Sequence, residues 1–350
     1  MNYSIKGMVK FITVLLSFAL VTAGCRKAEA DKNYKADTIN VVPPVADKEE
    51  RAGSVELTID TALFNLLQRH LVHNKPNNKW PVPMEYPLPG ALLPFNRIVA
   101  YYGNFYSKGM GILGELPEHE MLGRLQQEVN NWEAADPQIP VIPAIHYIAV
   151  TAQGSPGKGA KYRLRMPFSQ IDKALEVAKK INAVVFLDVQ VGHSTLQEEL
   201  PELEPYLKLP NVHLGIDPEY SMKGGQVPCA TIGYFDGADV DYAVRYLQGI
   251  VKKYGVPPKI LVVHRFTQGM ITNYKRIKLC REVQIVIHMD GFGFPGKKRD
   301  SYKVAVTNEP IQFGGFKLFY KNDKLSKPYR LMAPEEVLAL YPSPVYIQYQ

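Results

Sequence analysis

The chain has 350 residues, of which 46% are hydrophobic and 21% charged, and its formal net charge is +7. That balance excludes a disordered or collagen-like chain, and three cysteines are too few for a disulfide scaffold. The length accommodates two ordinary domains or one large barrel, so the placement of residues along the chain has to decide.

Lys6 and Lys10 precede an apolar run over residues 11–21, too short to span a bilayer comfortably, and the run ends in Thr22-Ala23-Gly24-Cys25. A basic start, a short apolar centre and small residues before a cut describe a secretory signal over residues 1–24. A cysteine directly after the small pair resembles the signal of bacterial lipoproteins. The resemblance implies lipidation of Cys25, a cell-envelope location and a membrane partner reached through the lipid. Residues 25–56 are rich in Lys, Asp, Glu and Ala, carry Pro43-Pro44 and lack apolar periodicity, as a flexible tether does. Residues 57–96 form a lead-in in which Leu57–His73 reads as a helix able to cover a barrel seam or floor.

From Arg97 onward, short β-branched or aromatic runs alternate with helical patterns. Strands are expected near Arg97, Val141, Ala183, Asn211, Ile260, Val283, Gly315 and Val345. Between them, Met121–Trp132, Ile171–Ile181, Ala238–Tyr254 and Glu335–Leu340 repeat apolar residues at three and four positions, as one-sided helices do. Strand and helix in alternation mean parallel pairing through right-handed crossovers. Eight strands over residues 97–350 match a single α/β domain, a (β/α)8 TIM barrel that lacks a final outer helix. An open doubly wound sheet is the rival. Gly109, Gly111 and Gly114 spell the dinucleotide fingerprint, but the strand ends near Gly103 and Pro117 delays the helix. No acidic residue closes the second strand to hold a ribose. The segment reads as a glycine-rich loop, and neither a cofactor nor a metal is expected.

In such a barrel the chemistry sits at the C-terminal rim. The strands end in His146, Asp188, Asp217 with Glu219, His264, and His288 with Asp290. Val184, Phe186 and Asp188 share one face, as do Ile260, Val262 and His264, and Val286, His288 and Asp290. Each acid has a plainer reading as a turn or cap residue, and His213 in mid-strand reads as a satisfied core histidine. Several carboxylates at one end are harder to explain structurally, because an apolar strand rarely ends in an unpartnered charge. Hydrolysis of a glycosidic bond needs one protonated and one ionised carboxyl flanking the sugar. Glu219 is the candidate acid and Asp290 the nucleophile or base, while Asp217 and Asp188 orient substrate or raise the pKa of the acid. Tyr101, Tyr102, Tyr220 and Phe292 are candidate sugar platforms, with His146, His264 and Arg265 as further substrate contacts.

Lys108, Lys158, Lys161, Arg163, Arg165, Lys223, Arg265, Lys297, Lys298 and Arg299 fall on the same loops and would steer an anionic polymer. Metal-assisted hydrolysis is an alternative, because His146, Asp188, Asp217, Glu219, His264 and Asp290 offer mixed N/O ligands. Against it, the first strand lacks paired histidines. Cys229 and Cys280 are expected at opposite ends of the barrel, unpaired.

At Phe186-Leu-Asp-Val-Gln-Val-Gly192, Leu214-Gly-Ile-Asp-Pro-Glu219 and His288-Met-Asp-Gly-Phe-Gly293 the chain resembles the glycoside-hydrolase-like barrel domains of bacterial lipoproteins. The resemblance implies an envelope-anchored, monomeric protein whose partner is a glycan or envelope polymer, with no nucleic acid involved. A non-catalytic glycan-binding protein on a degenerate barrel stands beside the hydrolase reading. Fold analogy does not choose between them.

Overall fold

A computed structural model describes residues 58–350. The expected signal, Cys25 and the tether lie outside the described residues. Eight parallel strands close into a barrel: β1 (Arg97–Gly103), β2 (Val141–Ala152), β3 (Val184–Val189), β4 (Val212–Ile216), β5 (Lys259–His264), β6 (Val283–Met289), β7 (Phe313–Leu318) and β8 (Tyr346–Tyr349). β1 pairs with β2 on one side and with β8 on the other, which closes the ring and excludes the open sheet. The end of β2 runs on into an antiparallel pairing with Arg163–Arg165 over the rim.

The outer layer follows the apolar periodicity. α1 spans Thr61–Leu71, α2 Glu118–Ala135, α3 Phe168–Lys179, α4 Gly237–Tyr254, α5 Pro295–Tyr302 and α6 Pro334–Leu338. In α4, Asp236 caps the first turn in a reciprocal box with Asp239, and Gly255 ends the helix at φ 63°. The crossover from β5 to β6 is made instead of turns at Gln268–Met270 and Tyr274–Arg276.

Side-chain alternation separates two cores. Outward residues such as Val99, Ile145, Val185 and Leu261 pack under the helices. Inward residues Ile98, Ala100, Ala144, Val184, Phe186, Ile260, Val262, Val286 and Phe313 fill the lower barrel, and Leu67 and Leu71 of α1 join them. Each large side chain removed from water there contributes ~1.5–3 kcal/mol. The α1 helix therefore plugs the floor, one of the two positions its sequence allowed. Beside β8 the seam is filled by aromatic rings, with Tyr320 stacked on Tyr349 at 5.1 Å and edge-on to Tyr101 at 6.2 Å. Trp132 of α2 donates to the Tyr349 hydroxyl at 2.9 Å.

Candidate active site

The C-terminal rim encloses a cavity of about 620 Å³ lined by Asp217, Glu219, Asp290, Lys317, Tyr102, Tyr220 and Phe292, among others. A separate cavity of about 510 Å³ lies by His193 and Lys223 and takes in none of the strand-end carboxylates. The first cavity is thus where the strand-end chemistry meets solvent.

Asp217 caps the turn that leaves β4: its Oδ1 accepts from the Glu219 backbone N–H at 3.0 Å. The plain reading of Asp217 as a turn residue therefore holds together with its place in the cavity. The turn sets Glu219 half-buried on the wall, and the Gly233 N–H donates to the Glu219 carbonyl at 2.6 Å. Burial, reinforced by the negative charge of Asp290, pushes the Glu219 carboxyl up to about 6. Burial also drives Asp217 well above the usual carboxylate range, and the nearby acids Asp290, Glu219 and Asp188 add to it.

Lys317 was not among the residues expected from sequence. It stands on the inward face of β7, 3% exposed, with Nζ 3.8 Å from the centre of the Tyr102 ring. Burial lowers its pKa, while Asp290, Asp217, Asp188 and Glu219 push back. The sequence signal was a lysine at an inward position of an otherwise apolar strand, Phe313–Leu318. Gln190, Phe266, Phe319 and Cys229 also line the cavity without having been expected there.

Several expected site residues lie elsewhere. Tyr101 points out under the helices, because neighbours on a strand face opposite ways, and its hydroxyl bonds that of Tyr320 at 2.9 Å. It is a seam residue and no sugar platform. Arg265 is fully buried, ion-paired with Glu309 and donating to the carbonyls of Thr267, Gln268 and Ala305, so it holds its own loop together. Asp188, His146 and His264 are fully buried beneath the cavity and do not line it. The hydroxyl of Tyr102 roofs Asp188, donating to Oδ2 at 2.9 Å.

Below that roof is a charge network. Burial opposes ionisation of Asp188, but the positive charge of His264 and the two facing imidazoles hold its carboxyl well below the usual range. Burial likewise disfavours the cationic form of His264, yet Asp188 and Asp290 outweigh it and raise the imidazole to about 10. His146 goes the other way, lowered to about 4 chiefly by burial. His213 Nδ1 accepts from the Ile260 N–H at 3.1 Å, but its buried Nε2 has no partner among the described residues, so this core histidine is only half satisfied.

The expected positive rim is largely neutralised. Arg163 and Arg165 both hold Glu199 at 2.7 Å, Lys161 pairs with Glu198 at 2.9 Å, and Lys223 pairs with Asp239. Lys298 is buried against Asp323 at 2.7 Å, and Arg299 pairs with Glu336 at 2.9 Å. Lys297 does face the cavity, its Nζ 5.4 Å from the centre of the Phe292 ring. Gly111 belongs to the loop after β1: at φ 129° a Cβ there would lie 2.3 Å from the Tyr102 carbonyl oxygen, so close packing requires glycine. Cys229 and Cys280 are both free thiols.

No protein-family model matches the chain, and no curated protein does. Among solved structures, it is similar to dihydropteroate synthase of Burkholderia cenocepacia, at 10% identity and TM-score 0.33, covering 73% of this chain and 85% of that one. It is also similar to a dihydropteroate synthase from Coxiella burnetii, at 12% identity and TM-score 0.33, covering 73% and 87%.

Proposed function

We propose that the protein is an acid–base hydrolase of glycosidic bonds, with Glu219 as the proton donor and Asp290 as its partner. One observation carries the reading. A single cavity holds Glu219, pushed up to about 6 by burial and by the charge of Asp290, with Asp290 itself on the cavity wall. A carboxyl raised in this way suits the role of acid, and the second carboxyl beside it that of nucleophile or base. Glu219 gives its proton to the leaving oxygen as the glycosidic bond breaks. Asp290 takes a proton from the attacking water or adds to the anomeric carbon, and the anomeric form of the product distinguishes the two.

The remaining residues have supporting parts. Lys317 balances the charge of the acids, and Asp217 fixes the turn that carries Glu219. Tyr220 and Phe292 offer ring faces to a sugar, and Lys297 beside Phe292 favours a substrate bearing a carboxylate or phosphate. The substrate class is an envelope or related polysaccharide, reached by a protein held on a membrane through a lipid on Cys25.

The test is hydrolysis of neutral and uronate-bearing glycans by the wild-type chain, Glu219→Gln and Asp290→Asn. Turnover by the wild type that both substitutions abolish supports the proposal. Turnover unchanged in both removes these assignments, and saturable binding without turnover makes the protein a glycan-binding barrel instead.

A further inference from the structure

Beneath the cavity floor, three atoms of the kind that bind metals face one another. His146 Nε2 lies 3.3 Å and His264 Nε2 3.4 Å from Asp188 Oδ1, and all three atoms lie within 4.8 Å of one another. The three side chains are fully buried, and none of these atoms forms a hydrogen bond to the described residues. At 3.3–3.4 Å the two imidazoles face Asp188 without hydrogen-bond geometry, so the bonding capacity of the three converging atoms is only partly met, and an ion between them would complete it.

The opposite side of each group is anchored. His264 Nδ1 bonds Asp290 Oδ2 at 2.9 Å, His146 Nδ1 bonds the Tyr346 hydroxyl at 2.6 Å, and Asp188 Oδ2 accepts from Tyr102 at 2.9 Å. These bonds turn the three remaining atoms toward one another. A carboxylate on the far nitrogen of a histidine is the usual outer support of a metal-binding imidazole. The wall of β4 is built to admit the group: a Cβ on Gly215 would lie 2.4 Å from Asp188 Oδ1 and 2.5 Å from His146 Nε2. His288 lies next to His264, with ring centres 5.1 Å apart and both of its own nitrogens unpartnered.

We propose that His146 Nε2, His264 Nε2 and Asp188 Oδ1 bind one divalent transition-metal ion under the floor of the cavity. Two imidazoles and one carboxylate suit zinc, iron or manganese, whereas calcium and magnesium favour all-oxygen sites. The ion braces the floor through Tyr102 and Asp290, whose outer atoms hold its ligands. This inference does not rest on the glycosidase reading, because its test reads metal content and thermal stability.

The full chain, purified without chelator, is assayed for bound metals by elemental mass spectrometry, then stripped and titrated separately with Zn2+, Co2+, Mn2+ and Mg2+. The expected results are about one equivalent of transition metal per chain and a melting temperature that falls on stripping and recovers with Zn2+ but not Mg2+. Co2+ should give the visible d–d bands of a nitrogen-ligated site. His146→Gln and Asp188→Asn should lose the metal, and His213→Gln, which alters another inward histidine, should keep it. Asp290→Asn leaves the three ligands intact and should weaken Zn2+ by about 10–100-fold. Should the ligand variants fail to fold, the Co2+ spectrum of the wild type still decides. A wild-type chain that takes up no transition metal and shows no melting shift overturns the proposal, as does full metal binding by folded His146→Gln and Asp188→Asn. In either case the buried group is a proton-linked ion pair.

Discussion

At the N-terminal end of the barrel, most of the buried charge is matched. Arg97 donates to Asp136 at 2.9 Å and to the Pro344 carbonyl at 3.1 Å, and Lys259 donates to the carbonyls of Leu209 and Val212. Gln284 exchanges two hydrogen bonds with the backbone of Leu93. At the C-terminal end, His146, Asp188, His264, His288, Asp290 and Gln348 each keep a buried polar atom without a protein partner. Outside that group, Thr151 Oγ1, Arg97 Nη1 and His213 Nε2 are the other such atoms among the described residues. The side chains compared are buried at both ends, so burial does not explain the contrast. One end is arranged to hold the fold together. The other retains unsatisfied groups that a stability optimum would remove, as sites of chemistry commonly do.

That contrast can be broken in order of expected effect. Glu219→Gln should lower turnover by about 10²–10⁴-fold, the usual range for removing a general acid, in steady-state assays on the best substrate. Asp136→Ala should leave turnover per folded molecule intact but strand the fully buried Arg97, costing about 3–5 kcal/mol. A fall in the urea midpoint at constant m would report it. Next comes the pH profile. Glu219, raised to about 6, is protonated and competent as an acid below that value. Above it, turnover should fall about tenfold per pH unit, and this alkaline limb should vanish in the residual activity of Glu219→Gln. The smallest effect belongs to Phe292→Ala: the ring is 51% exposed, so KM should rise by about two- to tenfold with the fold untouched.

Much of the architecture was legible in the chain. The alternation of Val184, Phe186 and Asp188, and of Ile260, Val262 and His264, gave their shared inward face, because a strand repeats every two residues. The same rule forbids Tyr101 and Tyr102 from both reaching the cavity, and only Tyr102 does. Depth within the barrel was not legible. Asp188, Asp217 and Asp290 all end strands, yet the stagger between neighbours puts Asp188 beside Gly215, below the cavity, and leaves the other two on its wall. Register between distant strands decides that, and no local pattern encodes it. The pairing of Arg163 and Arg165 with Glu199 is likewise a matter of loop packing, so a basic sequence became a neutral surface. Lys317 sat among apolar residues whose pattern spoke for a strand and concealed a charge that lines the cavity.

The central claim, that the C-terminal end favours chemistry over stability, is tested most directly by the unfolding free energy of Glu219→Gln against the wild type at pH 8. A carboxyl whose pKa rises on folding from 4.5 to about 6 favours the folded state most fully below 4.5, and that contribution is lost as pH rises through 6. At pH 8 the folded protein therefore carries an unfavourable charge, which glutamine removes. The account predicts a variant more stable than the wild type by on the order of 1–2 kcal/mol. A variant less stable than the wild type at pH 8 would show that Glu219 serves the fold, and would contradict the account.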